Sequence, residues 1–104
     1  MLSVPKELLS YHAEGKPLCC DLDENPFACE FWPLGEIEAY NSDYEVAEYA
    51  PGFLGFGTSG GGEMFALSVD GKVVCLPFIG MAPDVATPIA DSWLEFEGKL
   101  RNAL

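Results

Sequence analysis

Carboxylates are the residues of this chain best supplied for chemistry. Asp21, Asp23, Glu24, Glu30, Glu36, Glu38, Asp43, Glu45, Glu48, Glu63 and Asp70 all fall between Pro17 and Gly71, an interval that contains no Lys or Arg. Two uses follow from such density: acid–base catalysis by a close pair, or attraction of a cationic partner. Seventeen Asp and Glu in the chain ensure that some pair will be close, so proximity alone argues little for catalysis. Attraction carries more weight. Like charges held together oppose compaction, while a concentrated negative field steers a basic partner and speeds its association. The plain competing reading is a solvated face that keeps the protein dissolved.

Other motifs are weaker. Gly55-Phe56-Gly57-Thr58-Ser59-Gly60 matches G-x-G-x-x-G, but the residues after it, Glu63 to Val69, read as a strand. No helix N-terminus would then face a pyrophosphate, and the glycines are expected to form a tight turn. Asp21, Asp23 and Asn25 open like a calcium loop, yet Pro26 stands where the sharp turn needs Gly and Trp32 where the bidentate Glu belongs. His12, the sole histidine, lies near the end of a predicted helix and has no recognisable nucleophile elbow to serve. Cys19 and Cys20 are adjacent, and Cys29 and Cys75 stand alone, so no C-x-x-C pair supports a zinc site. The four are expected to be reduced, buried small hydrophobes. No catalytic residue, cofactor or metal is expected.

The elements that would position these groups fit one domain over residues 1–104, 49% hydrophobic and able to fill a single core. A net charge of −12 argues against nucleic acid as a partner. Apolar runs fall far short of the roughly 20 residues that span a membrane, and the start Met1-Leu2-Ser3-Val4-Pro5-Lys6 lacks a signal-peptide pattern, so a cytoplasmic protein with no membrane contact is expected. Ser3 and Pro5 suit the start of a helix carrying Val4, Leu8, Leu9 and His12, which Gly15 and Pro17 stop. Leu18–Leu22 and Ala28–Trp32 predict a hairpin about Asp23-Glu24-Asn25-Pro26. Pro33 opens a second helix through Leu34, Ile37 and Tyr40, with Asn41 as a left-handed residue past its end and residues 42–52 irregular. Glu63–Val69, with Phe65, Leu67 and Val69 on one face, and Lys72–Leu76 predict a hairpin joined by the two-residue turn Asp70-Gly71. After a loop marked by Pro77, Gly80, Pro83 and Pro88, a capping box at Ser92-Trp93-Leu94-Glu95 starts a terminal helix with Trp93, Phe96, Leu100 and Leu104 on one stripe.

Taken together, Val4-Pro5-Lys6-Glu7-Leu8-Leu9, Phe31-Trp32-Pro33-Leu34-Gly35-Glu36-Ile37, Asn41, Pro51-Gly52-Phe53-Leu54-Gly55-Phe56-Gly57, Gly60-Gly61-Gly62-Glu63-Met64-Phe65-Ala66-Leu67 and Ile89-Ala90-Asp91-Ser92-Trp93-Leu94-Glu95-Phe96 resemble the SUKH superfamily. That group contains the fungal cell-wall regulator and many bacterial immunity proteins. The resemblance implies an α+β domain whose central, largely antiparallel sheet is covered by helices. It also implies a non-enzymatic protein-binding module, an immunity protein that neutralises a cognate toxin by direct contact, a nuclease being one such toxin. Joined to the charge pattern, it nominates Asp21, Asp23, Glu24, Glu30, Glu36, Glu38, Asp43, Glu45 and Glu48 as partner-binding carboxylates. Trp32, Tyr40, Tyr44 and Tyr49 are the aromatic anchors among them, with core burial the alternative for Trp32. The rivals are a regulatory or scaffold domain with no toxin, and a small-molecule-binding or enzymatic domain framed by Gly60-Gly61-Gly62. The family pattern places a further helix ahead of Pro5, so the chain reads as a short form in which a homodimer would cover the bare face. Light scattering at micromolar concentration should then report a dimer, and a purely monomeric mass would dispose of that expectation.

Overall fold

Alternation at Phe31 and Trp32 divides the molecule: Phe31 turns to one side of a sheet and Trp32 to the other, and each side has its own helices. The computed structural model describes residues 3–102. Its α-helices are α1 (Lys6–Ala13), α2 (Ile37–Asp43), α3 (Val46–Tyr49) and α4 (Trp93–Lys99), with 3-10 turns at Leu34–Glu36 and Pro83–Val85. The strands are β1 (Cys19–Asp21), β2 (Ala28–Phe31), β3 (Phe53–Thr58), β4 (Glu63–Ser68), β5 (Val73–Pro77), β6 (Thr87–Ala90) and β7 (Arg101–Asn102). They form one sheet in the order β6-β5-β4-β3-β2-β1-β7, antiparallel at every pairing. The expected α+β class, with an antiparallel sheet covered by helices, is what the chain adopts.

On the Phe31 side, Tyr11 of α1 and Trp93 and Phe96 of α4 pack against Phe31 and Phe56. On the Trp32 side, α2 and α3 lie on β3. Coverage of both faces changes the expected pattern of β4. Met64, Phe65, Ala66 and Leu67 are all buried, whereas Val69, expected on the buried face, follows the strand and is 73% exposed. The β4–β5 hairpin forms as expected, but residues 69–72 connect it, with Ser68 and Asp70 hydrogen-bonded side chain to side chain, so the turn is longer than two residues. The 19–21 and 28–31 hairpin also forms, with Cys20 opposite Cys29. Of the glycines expected to form a tight turn, Gly60 does so, at positive φ with Gly62 in the β3–β4 loop, whereas Gly55 and Gly57 lie within β3.

Several elements differ from expectation for local reasons. Pro5, not Ser3, is the N-cap of α1, and its buried residues are Leu8 and Tyr11 while Leu9 is 43% exposed. Residues 46–49 are helical, and the left-handed residue after α2 is Glu45, at φ 54°, rather than Asn41. Pro88 lies within β6, an outermost strand, the kind of position where a sheet tolerates a missing N–H. Ser92 Oγ accepts from the Glu95 N–H at 3.1 Å as predicted, but the Glu95 carboxylate reaches towards Lys99, 3.9 Å away, instead of closing the box. The last helix stops at Lys99 because Leu100 is extended and the chain turns into β7 on the β1 edge. Leu104, the end of the predicted stripe, lies outside the described residues.

The two layers on the Trp32 side are fastened by one side chain. Between Gly55 and Gly57 the β3–β4 register slips, leaving a bulge at Phe56. Asn41, 2% exposed, projects from α2 to this point: its Oδ1 accepts from the Gly55 N–H at 2.8 Å, and its Nδ2 donates to the Gly55 carbonyl at 2.9 Å and to the Ile37 carbonyl at 2.8 Å. Gly57, next along, meets β2 closely enough that a Cβ there would stand 2.5 Å from the Glu30 carbonyl oxygen. On the opposite side Glu97 ties α4 to its surroundings, accepting from Trp93 Nε1 at 2.7 Å and from Lys16 Nζ at 2.8 Å. Burial pushes the Glu97 carboxyl up, but those two donors outweigh it and hold the group below its ordinary 4.5.

Asn41→Leu should therefore lower unfolding stability by about 3 kcal/mol, since both Gly55 backbone groups would be stranded in the interior. Urea denaturation measures it, and a loss under about 1 kcal/mol would mean Gly55 finds other partners. Glu97 titrates lower in the folded state than in the unfolded chain, so its contribution is present above pH of about 4.5 and disappears as the pH falls through the folded value. Glu97→Gln should cost roughly 1 kcal/mol at neutral pH and make stability fall less steeply below pH of about 4.5; an acid limb identical to the parent's would refute the assignment.

Candidate functional site

The nominated carboxylates divide into two groups when folded. Asp21, Asp23, Glu24 and Glu30 belong to the β1–β2 hairpin, and two of them are already engaged. Asp23 takes Arg101, with Nε at 2.8 Å and Nη2 at 2.6 Å, and Glu24 takes Lys99 Nζ at 2.8 Å. The guanidinium beside Asp23 holds its carboxyl below the usual range. These cations arrive from the far end of the sequence, which is why the interval looked uncompensated when read linearly. The calcium-loop likeness at Asp21, Asp23 and Asn25 gives way to the same fact: Asp23 is committed to an arginine. Asp21 and Glu30 are exposed, Glu30 meeting only the Cys19 thiol at 3.9 Å.

Glu36, Glu38, Asp43, Glu45 and Glu48 form the second group, carried by the 3-10 turn that leads into α2, by α2, by α3 and by the turn between them, and all five are exposed. Among the described residues no ion pair reaches any of them. Lys16 is held by Glu97 and Glu14, Lys72 by Asp70, Lys99 by Glu24 and Glu95, and Arg101 by Asp23. Helical periodicity places Glu38 and Asp43 on different flanks of α2, whose buried line is Ile37 and Asn41. On one flank Glu38, Glu45 and Glu48, with Asn41, Ser42 and Ala47, rim an open concavity of about 370 Å³. Tyr49 is half-exposed beside this flank, its phenol pushed above the ordinary value by the Glu45 and Glu48 charges.

The other flank is aromatic. Tyr40 stacks on Trp32 with ring centroids 4.5 Å apart, and Tyr44 lies nearly parallel to Trp32 at 6.2 Å. Trp32 is buried, Tyr40 partly so, and Tyr44 remains 40% exposed. Phe78 completes the set, 4.5 Å from Tyr44. Sequence reading missed it because Phe78 sits in a proline- and glycine-marked stretch with no periodicity to place it; its only signal was a pair of large apolar residues, Phe78-Ile79, where a loop would be polar. Of the four nominated aromatic residues, Trp32, Tyr40 and Tyr44 come together and Tyr49 stands with the carboxylates instead.

Groups suited to covalent or proton-transfer chemistry lie apart from this surface. His12 is lowered by burial, its Nε2 enclosed without a hydrogen-bond partner, and it faces Tyr11 and Phe31. Cys20, Cys29 and Cys75 are buried, as expected for small hydrophobes, and Cys19 is exposed, which that expectation did not allow. Burial pushes the Cys75 thiol up to about 12 and raises Cys20 and Cys29 as well, so none of the three is a ready thiolate. No helix among the described residues is long and apolar enough to cross a membrane.

No curated protein matches the chain in a sequence search. A family does: the pattern described as the SMI1 / KNR4 family (SUKH-1) matches residues 6–98, from the first residue of α1 to the last turn of α4. With that match running through the bulged strand, the glycine loop and the capped last helix, the chain belongs to the SMI1 / KNR4 family (SUKH-1).

Proposed function

We propose that this protein is a non-enzymatic binding module of the immunity type, which neutralises a toxin domain by presenting the α2–α3 surface to a basic region of it. One observation carries the reading: five exposed carboxylates fall within residues 36–48, on and beside α2 and α3, with no ion pair to any of them, while the ion pairs of the described chain lie elsewhere. Exposed surface ion pairs contribute little to folding, so leaving these groups without one costs the fold little, and their mutual field is left to act outward. The β1–β2 carboxylates are weaker candidates, because Arg101 and Lys99 already neutralise Asp23 and Glu24. A nuclease suits such a surface, since its substrate cleft must be cationic to hold phosphates and would accept carboxylates in their place. The enclosed Nε2 of the half-buried His12 and the burial of three thiols support the non-enzymatic part of the reading.

Replacing Glu36, Glu38, Glu45 and Glu48 together by Lys should slow association with a toxin captured from the native cells by tenfold or more, and should flatten its dependence on salt. Stopped-flow association rates at low and high salt measure both effects. Rates and salt slope equal to those of the parent protein would place the interface on another face.

A further inference from the structure

The aromatic flank of α2 has a composition that bulk negative charge does not explain. Helical spacing sets Glu36 and Asp43 on the same side as Tyr40, at i−4 and i+3, with Tyr44 one turn further along. The two tyrosine planes are within 12° of each other, and both are near-parallel to Trp32, 23° and 15° away. Trp32 is the buried base of this set, which shares no ring contact with the Phe31, Phe56, Phe65 and Phe96 cluster across the sheet. Rings serving only the core would be enclosed. Here Tyr44 is 40% exposed and Phe78 half-buried, so an aromatic shelf opens to solvent on the flank of α2 that carries the unpaired Glu36 and Asp43.

We infer that this shelf is a docking site for an arginine of a partner protein, its guanidinium stacked on the Tyr44–Phe78 rings and ion-paired to Glu36 or Asp43. The inference rests on the α2–α3 reading above and specifies its chemistry. Charge complementarity demands a cation, and the flat rings select which one. A guanidinium is planar and weakly hydrated, so it can lie on a ring face while its edge donates to a carboxylate. An ammonium is compact and strongly hydrated, and it gains less from the same surface.

Two amidated peptides of equal charge, Arg-Gly-Arg-Gly-Arg and Lys-Gly-Lys-Gly-Lys, separate this from charge attraction alone. In a two-dimensional NMR titration at low salt, the arginine peptide should bind about fivefold more tightly and shift the Trp32 indole N–H together with the Tyr40 and Tyr44 amides. Tyr44→Ala should erase the preference between the peptides, and Tyr44→Phe, which keeps the ring, should retain it. Equal affinity for the two peptides, a preference that survives Tyr44→Ala, or shifts confined to Glu38, Glu45 and Glu48 would overturn the arginine site while leaving the acidic interface standing. Binding of neither peptide would overturn it as well, and the charge-reversed protein's behaviour with its toxin would then judge the wider reading separately.

Discussion

One carboxamide governs where the candidate surface sits. At the β3 bulge the ladder cannot satisfy Gly55, and Asn41 supplies a donor and an acceptor to that single residue while also bonding back to its own helix at Ile37. A side chain that meets three backbone groups at once has little freedom in azimuth or height. It therefore sets the rotation of α2 against the sheet, and the rotation decides that Glu38 faces one flank and Tyr40 the other. A Cβ on Gly55 would also run into the Met64 side chain, which would have to shift to admit one. Bulge, glycine and asparagine thus work as one device, and the displayed residues of α2 depend on it.

The fold also distributes charge unevenly. Three of its five cations close the β1–β2 hairpin, α4 and the segment ahead of β1 together: Arg101 to Asp23, Lys99 to Glu24, and Lys16 to Glu97. Lys99 also donates to the Ile89 carbonyl at 2.6 Å, so it binds strand and hairpin in one reach. Among the carboxylates left without an ion pair, five fall within residues 36–48, on and beside the short helices that contribute Ile37, Asn41 and Val46 to the interior. A chain with net charge −12 thus places its long-range ion pairs at the β1–β2 hairpin and α4, and among the described residues no ion pair falls on the α2–α3 layer.

How much of this could be read in advance depended on whether the deciding contact was local. The β1–β2 and β4–β5 hairpins and the Ser92 cap are fixed by residues within a few positions of one another, and they appear where the pattern placed them. Contacts between distant segments were not legible. Asn41 has the composition of a helix terminator, and only the bulge across from it makes it a buried fastener. The shortening of α4 reflects competition from β1, which offers Arg101 and Asn102 a ladder that a periodicity argument does not count. For the candidate site, residue types and their concentration in one interval were visible. The split into engaged and unengaged carboxylates was not, because Lys99 and Arg101 lie far along the chain from their partners, and Phe78 joined the aromatic set only through tertiary packing.

The sheet's margins carry a last implication. One border is β6, four residues long, with Pro88 inside it and a register slip against β5; at the other, β7 contributes two residues among those described. Among the described residues, neither margin presents an unbroken row of backbone donors and acceptors on which a foreign strand could grow. Another polypeptide has little opportunity to extend this molecule by adding itself to the sheet, and copies of the chain are discouraged from templating one another into fibrils. The binding proposed for α2–α3 accordingly relies on side-chain charge and ring geometry instead of on generic main-chain pairing.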